Sequence, residues 1–119
     1  MSMERGRILI VGSSKESTYE IRNLLDNRRF ELEIALSPEV GRSILSERWM
    51  NLLIIHTELL DEKSVKFFEF LADREIDIPI MIMGEEAAKF REVVRCRNEV
   101  ECFEKPYHVD ELLSFIRTI

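Results

Sequence analysis

The stretch Asn51-Leu52-Leu53-Ile54-Ile55-His56 decides the fold of this chain. Every residue from Leu52 to Ile55 is apolar, and such a run is typical of a central parallel strand covered on both faces. A histidine follows the run directly. We therefore predict a central strand at residues 52–55 with His56 at its end.

Strand-like and helix-like segments alternate on both sides of this predicted strand. The other predicted strands are residues 7–11, 31–35, 80–83 and 100–103. Alternation of this kind predicts parallel strands joined by crossover helices. Five units of strand and helix in one domain indicate an open, doubly wound α/β sheet.

The helical stretches carry apolar residues at spacings of three and four, which places those residues on one face. The first helix carries Ile21, Leu24 and Leu25, and the last, after Lys105-Pro106, carries Val109, Leu112, Leu113 and Ile116. The others are predicted from Ser37-Pro38 to about Arg48, over residues 62–73, and from Glu85-Glu86 to about Cys96. Ser13 or Ser14 is expected to cap the first helix, because a serine hydroxyl accepts from the free N–H groups of a first turn.

Composition limits the classes to which the protein can belong. With 119 residues and 45% hydrophobic content, residues 1–119 are expected to form one domain. A net charge of -6 argues against nucleic acid or an anionic membrane as a partner. No apolar run approaches the roughly 20 residues of a membrane-spanning helix, and the N-terminus lacks the apolar core of a signal peptide, so we expect a cytoplasmic protein. Cys96 and Cys102 match no metal-binding or redox spacing, which favours two reduced thiols.

The chain resembles the receiver domain of bacterial two-component response regulators over essentially its whole length. The order and sizes of the elements carry the resemblance, together with Ile78-Pro79-Ile80 at the fourth strand and Lys105-Pro106-Tyr107 after the fifth. The resemblance implies a flavodoxin-like, five-stranded parallel sheet in the order 2-1-3-4-5, with helices on both faces. It also implies a role in signal transduction.

The phosphorylation site of that family is not retained in this sequence. Family members have an acidic pair that holds Mg²⁺ after the first strand, a phosphoacceptor aspartate ending the third, and a Ser or Thr ending the fourth. They also have an aromatic switch residue in the fifth strand and a lysine after it. The corresponding residues here are Gly12, Ser13, His56, Gly84, Cys102 and Lys105. Because phosphoryl transfer needs an acceptor and groups that neutralise the developing charge, the resemblance implies a receiver scaffold with no catalytic residue, no metal and no cofactor, and not an enzyme.

His56 and Lys105 are the two residues of this set whose roles need an argument of their own. Burial at a strand end favours a neutral, hydrogen-bonded structural histidine. Metal binding would need companions, yet the other histidine is His108 and the nearest carboxylate in sequence is Glu58. A phosphohistidine relay at His56 is the least favoured alternative.

A semi-buried Lys105 ammonium without the family's aspartates would cost several kcal/mol unless a partner answers it. We expect that partner to be a neighbour such as Glu58 or Glu85, a backbone carbonyl or a bound anion. The competing interpretation is that the lysine packs its stem and extends its amine into water.

Two functions follow as competing hypotheses. The first is a phosphorylation-independent interaction or regulatory module whose partner is a signalling protein or a sister receiver, including a second copy of the chain. In the family, partners dock on the face formed by the fourth helix, the fifth strand and the last helix, although an ordinary solvated face explains the same charges. The charged residues of that face are Lys89, Arg91, Arg95, Arg97, Glu101, Asp110 and Glu111.

The second hypothesis is a flavodoxin-like domain that binds a small ligand or phosphate. Open α/β sheets bind ligands in the crevice at the carboxyl ends of their strands, here above Gly12, Ser13 and His56. Hydroxyl groups and backbone N–H groups between a first strand and its helix suit phosphate, but the turn lacks the interior glycine of such loops.

Overall fold

A five-stranded parallel sheet forms the centre of the molecule in a computed structural model that describes residues 6–25, 30–59, 62–91 and 99–117. The strands lie in the order β2-β1-β3-β4-β5, which confirms the expected topology. They are β1 (Gly6–Val11), β2 (Phe30–Ala35), β3 (Leu52–His56), β4 (Ile80–Met83) and β5 (Val100–Phe103). Each prediction of a strand is confirmed, with its ends within one residue of the observed ones.

Helices cover both faces of the sheet, as the doubly wound pattern predicted. The α-helices of the described residues are α1 (Lys15–Leu25), α2 (Pro38–Glu47), α3 (Glu62–Asp73) and α4 (Val109–Ile116). Two short 3₁₀ turns, Thr57–Leu59 and Ala87–Phe90, follow β3 and β4. None of the described helices is long and apolar enough to cross a membrane.

One helix start was predicted wrongly. The acidic pair Glu85-Glu86 does not open an α-helix, because Glu86 adopts a left-handed backbone with φ 55° and precedes the 3₁₀ turn Ala87–Phe90. A left-handed residue cannot belong to a right-handed helix, so the acidic pair belongs to a turn. The rest of the stretch predicted to end near Cys96 lies outside the described residues.

The core consists of two apolar layers, one on each face of the sheet. On one face, Leu53 and Ile55 of β3 pack with Phe67 and Leu71 of α3. On the other face, Leu52 and Ile54 pack in one cluster with α1 and α4, whose inward residues are Ile21, Leu25, Leu112 and Ile116. The run Leu52 to Ile55 is at most 3% exposed, which confirms the prediction of a strand covered on both sides.

Two serine caps define the starts of the helices that flank the carboxyl edge of the sheet. The Ser14 hydroxyl accepts from the Ser17 N–H at 3.2 Å, so Ser14 is the capping residue at α1 that the sequence left open between two serines. The Ser37 hydroxyl accepts from the Val40 N–H at 3.2 Å, just before Pro38. Both caps set the direction in which the chain leaves its strand.

Candidate functional site

A crevice of about 580 Å³ lies at the carboxyl ends of the strands. Open α/β sheets place ligands in this position, because the loops leaving neighbouring strands diverge there. The lining residues come from α1, from the loops after β3, β4 and β5, and from the end of β3 itself. They are Ser14, Glu16, Ser17, Glu20, His56, Thr57, Glu58, Glu85, Glu86 and Lys105.

The lining of this crevice is acidic. It contains five glutamates against one lysine. The positive charge of the lysine balances only one of these negative charges. Its amine lies 3.0 Å from the Glu20 carboxylate, and both side chains are 47% exposed. The crevice therefore repels a free phosphate more than it attracts one.

Lys105 has a carboxylate partner of the kind expected, but not one of the residues named. Its side chain is half exposed, and its partner is Glu20 of α1 rather than Glu58 or Glu85. The pairing depends on the tertiary structure. Glu20 of α1 and Lys105 of the β5–α4 turn both line the crevice, although they are distant in sequence. The ammonium keeps access to water, as in the competing interpretation.

Glu58 connects the loop after β3 to the start of α1. Its Oε1 accepts from the N–H of Ser13 at 2.8 Å, the N–H of Ser14 at 3.0 Å and the hydroxyl of Ser17 at 2.6 Å. Burial alone would raise the pKa of Glu58, but the hydrogen bonds from Ser17 and Ser13, with smaller contributions from His56 and Ser14, hold that pKa below its ordinary value. Glu58 is therefore an ionised hydrogen-bond acceptor at neutral pH.

His56 ends β3 with a side chain that is 12% exposed. Its Nδ1 accepts from the backbone N–H of Glu58 at 3.2 Å, so this nitrogen carries no proton. Burial lowers the pKa of His56 despite the nearby Glu58 carboxylate, whose Oε2 lies 3.5 Å from Nδ1. The geometry agrees with the expected neutral, hydrogen-bonded histidine, and the approach of Nδ1 to Oε2 is not an ion pair.

Glycine is required at two of the crevice positions by close neighbours. A Cβ at Gly12 would lie 2.4 Å from Cγ2 of Thr18 and 3.3 Å from Oε1 of Glu58. At Gly84, where φ is +135°, a Cβ would lie 2.2 Å from the Thr57 hydroxyl oxygen. Neither a carboxylate at residue 12 nor a hydroxyl side chain at residue 84 fits unless these neighbours move.

No family model matches the sequence, and no curated protein shows significant similarity to it. Solved structures superpose on nearly the whole chain. A response regulator from Colwellia psychrerythraea aligns with a TM-score of 0.75 at 15% identity, over 97% of this chain and 96% of that one. A CheY-like receiver domain protein from Methanospirillum hungatei JF-1 aligns with a TM-score of 0.77 at 20% identity, over 97% and 93%.

The signal receiver domain of a putative Luxo repressor protein from Vibrio parahaemolyticus aligns with a TM-score of 0.79 at 14% identity, over 97% of this chain and 89% of that one. The chain has the fold of a response-regulator receiver domain. At these identities the likeness concerns the fold alone. The architecture implied by the sequence resemblance is thereby confirmed.

The receiver-like fold brings together most of the positions that the sequence analysis compared with a phosphorylation site. Gly12, Ser13, His56 and Gly84 meet around Glu58 and Thr57, and Lys105 lines the same crevice. Cys102 pairs with Ile82 inside the sheet and is absent from the crevice lining. It is a free thiol, and burial raises its pKa against the opposing effect of Arg91, whereas Cys96 lies outside the described residues.

Sequence reasoning missed four residues that shape the receiver-like crevice. Thr57 and Thr18 fill the space above the two glycines, Ser17 donates to Glu58, and Glu20 pairs with Lys105. A local signal existed for Ser17 and Thr18, which lie in the hydroxyl-rich stretch that leads from the first strand into the first helix. Within the described part of the chain, no group of three or more His, Cys, Asp or Glu side chains is arranged to hold a metal ion.

The charged face proposed for partners is only partly described. Lys89 pairs with Glu86 at 3.3 Å, and Arg91 pairs with Glu101 at 3.0 Å across the surface of β5. Asp110 and Glu111 lie exposed in the first turn of α4. Arg95 and Arg97 lie outside the described residues, and the docking role of this face stays a prediction.

Proposed function

We propose that this chain is an atypical receiver domain that acts in signal transduction as a phosphorylation-independent interaction or regulatory module. The observation that carries the proposal is the state of His56 at the end of β3. Its ring stands where the family has an aspartate, and its Nδ1 is already engaged by the Glu58 N–H. A histidine offers no carboxylate to a phosphodonor. The free lone pair of its neutral ring, on Nδ1, already accepts a hydrogen bond.

The groups around His56 support the same proposal. Gly12 and Ser13 supply no carboxylate for Mg²⁺, and the space for a side chain at Gly84 is occupied by Thr57. The Lys105 ammonium is shared with Glu20, which reduces its ability to neutralise a transferred phosphoryl group. Each part of a phosphoryl-transfer site is therefore missing or already engaged.

The small-ligand alternative has only the position of the crevice in its favour. The amide donors of Ser13 and Ser14, which would bind a phosphate, already bind the Glu58 carboxylate. The surrounding glutamates add repulsion for an anionic ligand. We keep the interaction module as the proposed function.

The partner is a signalling protein or a sister receiver domain, including a second copy of this chain, docked on the face of β5 and α4. Arg91 and Glu101 support this assignment, since their pair is exposed at 53% and 42%. Water screens an exposed pair, so exchanging it for pairs with a partner costs little. Asp110 and Glu111 extend the same face with exposed negative charge for a basic partner surface.

The phosphorylation-independent character is tested by titrating the ¹⁵N-labelled chain with beryllofluoride or acetyl phosphate in the presence of Mg²⁺. We expect no saturable change in the amide spectrum, whereas a receiver that retains its aspartate and acidic pair serves as positive control. His56→Asp is a second control, because it restores an acceptor without the Mg²⁺ ligands and is expected to stay unresponsive. Saturable, Mg²⁺-dependent shifts in the unmodified chain would overturn the proposal.

The docking face is tested separately by sedimentation velocity at increasing concentrations of the chain. Arg91→Glu is expected to weaken association between copies, and adding Glu101→Arg to it should restore that association. The matched control is Arg7→Glu, because Arg7 pairs with Glu31 at 3.1 Å on the opposite edge of the sheet with similar exposure. Equal effects of the two arginine substitutions would contradict the assigned face.

A further inference from the structure

We propose that Glu58 is a built-in latch: its carboxylate ties the 3₁₀ segment Thr57–Leu59 to the start of α1 and fixes both loops of the crevice without any bound ligand. This inference goes beyond the proposed function and does not depend on it. It concerns how the crevice is held in one conformation, whatever protein the domain meets.

The first observation is the number and kind of donors on a single oxygen. Oε1 of Glu58 receives two backbone N–H groups, from Ser13 and Ser14, and the hydroxyl of Ser17, all within 3.0 Å. Ser13 and Ser14 belong to the turn that precedes α1. The positive end of this 11-residue helix faces the Glu58 carboxylate. Charge-assisted hydrogen bonds of this kind are roughly twice as strong as neutral ones.

The second observation is that the other end of the latch is also held. The Glu58 backbone N–H donates to Nδ1 of His56 at 3.2 Å, and His56 is anchored in the sheet beside Met83 of β4. The side chain of Glu58 therefore bridges two loops that are separate in sequence, while its backbone is fixed to the end of β3. A residue held at both ends transmits the position of one loop to the other.

The third observation is the shape of the space around the carboxylate. Gly12 leaves Oε1 of Glu58 room to reach the Ser13 and Ser14 amides, since a Cβ at residue 12 would come within 3.3 Å of that oxygen. The same Cβ would lie 2.4 Å from Cγ2 of Thr18. The missing side chain at Gly12 is thus a condition for the latch.

Amide hydrogen exchange read by NMR tests the latch in the full chain. In Glu58→Ala we expect the protection of the Ser13 and Ser14 amides to fall roughly ten- to a hundredfold, because each loses a charged acceptor. Glu58→Gln keeps the size of the side chain and removes its charge, so amide protection should fall less than in Glu58→Ala. This variant also tests the latch if the alanine variant folds poorly. The matched control is Glu16→Gln, which removes the same charge from the first turn of α1, where Glu16 lies, and is expected to leave both amides protected.

Acetate gives a second readout on Glu58→Ala. A free carboxylate fits the space that the substitution opens, so acetate at matched ionic strength should restore protection of the two amides in that variant and leave the unmodified chain unchanged. Unaltered exchange in both Glu58 variants would overturn the latch, and so would equal effects of Glu16→Gln and Glu58→Gln. Failure here leaves the beryllofluoride result untouched, so the latch and the proposed function are tested independently.

Discussion

Replacing Gly84 by serine is expected to destabilise the domain strongly, although serine is a residue type that family members carry at the end of this strand. The backbone at Gly84 has φ +135°, outside the region that L-residues adopt readily, and such a conformation costs about 1 to 3 kcal/mol. The new Cβ would also lie 2.2 Å from the Thr57 hydroxyl oxygen, and overpacking costs about 1 to 3 kcal/mol more. Together these give a loss of about 2 to 6 kcal/mol out of a typical 5 to 15.

Urea unfolding followed by circular dichroism measures this loss. A double-mutant cycle with Thr57→Ala separates its two causes, because removing the hydroxyl relieves the overlap and leaves the backbone strain. We expect Thr57→Ala to recover about 1 to 3 kcal/mol in the Gly84→Ser background. The control is Gly6→Ser, since a Cβ at Gly6 meets only ordinary contacts at 3.6 Å with Phe30 and should change stability little.

Two results would refute this reasoning. One is a Gly84→Ser variant within about 0.5 kcal/mol of the unmodified chain, the range of neutral surface changes. The other is strict additivity with Thr57→Ala, which would mean that the two side chains do not meet. If the prediction holds, the hydroxyl of a functional receiver cannot be regained here by one substitution.

Three further predictions concern the cap of α1, the end of α3 and the pH response. Ser14→Ala should cost about 1 kcal/mol in urea unfolding, because its hydroxyl caps α1, whereas Ser13 contributes its backbone N–H and Ser13→Ala should cost little. Glu75→Gly should stabilise the fold by about 1 kcal/mol, because Glu75 has φ 54°, a left-handed conformation that glycine adopts without strain. This residue ends α3, where its N–H and that of Ile76 bond back to the last turn. The pKa of His56 is lowered from 6.5 in the folded state. Below pH 6.5 the unfolded chain therefore binds more protons at this residue than the folded chain does. Stability should therefore be complete above pH 6.5 and fall as the pH drops toward the folded pKa, and His56→Gln should flatten this part of the curve.

Each of these predictions has its own contradicting outcome. Equal losses from Ser13→Ala and Ser14→Ala would remove the distinction between the two serines. A stability loss in Glu75→Gly would mean that the glutamate side chain contributes more than its backbone conformation costs. A pH profile that keeps its slope in His56→Gln, or loses it in the exposed control His108→Gln, would assign the titration to another group.

The architecture of the sheet was open to prediction because its signals are local. The run Leu52 to Ile55 is buried on both faces, and Ile80 to Met83 behaves in the same way. Strand alternation and the spacing of apolar residues then leave few ways to pack the chain. The start of the segment after β4 escaped prediction, because an acidic pair suits both a first helical turn and a tight turn, and the left-handed backbone of Glu86 decides between them.

The partners within the crevice were much less accessible to prediction. Glu58 was considered as a partner of Lys105 and as a companion of His56 in a metal site, yet its carboxylate binds the start of α1, while Lys105 binds Glu20. These pairings join residues distant in sequence on loops whose directions are set by the packed sheet. No periodicity or propensity reports on such contacts.

The sequence alone determined that the chain folds as a parallel α/β sheet and that Gly12, His56 and Gly84 lie at the ends of its strands, because both are matters of residue type and spacing. Only the tertiary structure decided what surrounds these residues. Thr57 and Thr18 fill the space beside the two glycines and Glu58 binds the Ser13 and Ser14 amides, since the carboxyl ends of β1, β3 and β4 bring their loops to one point. The histidine that ends β3 is thus an anchor for Glu58.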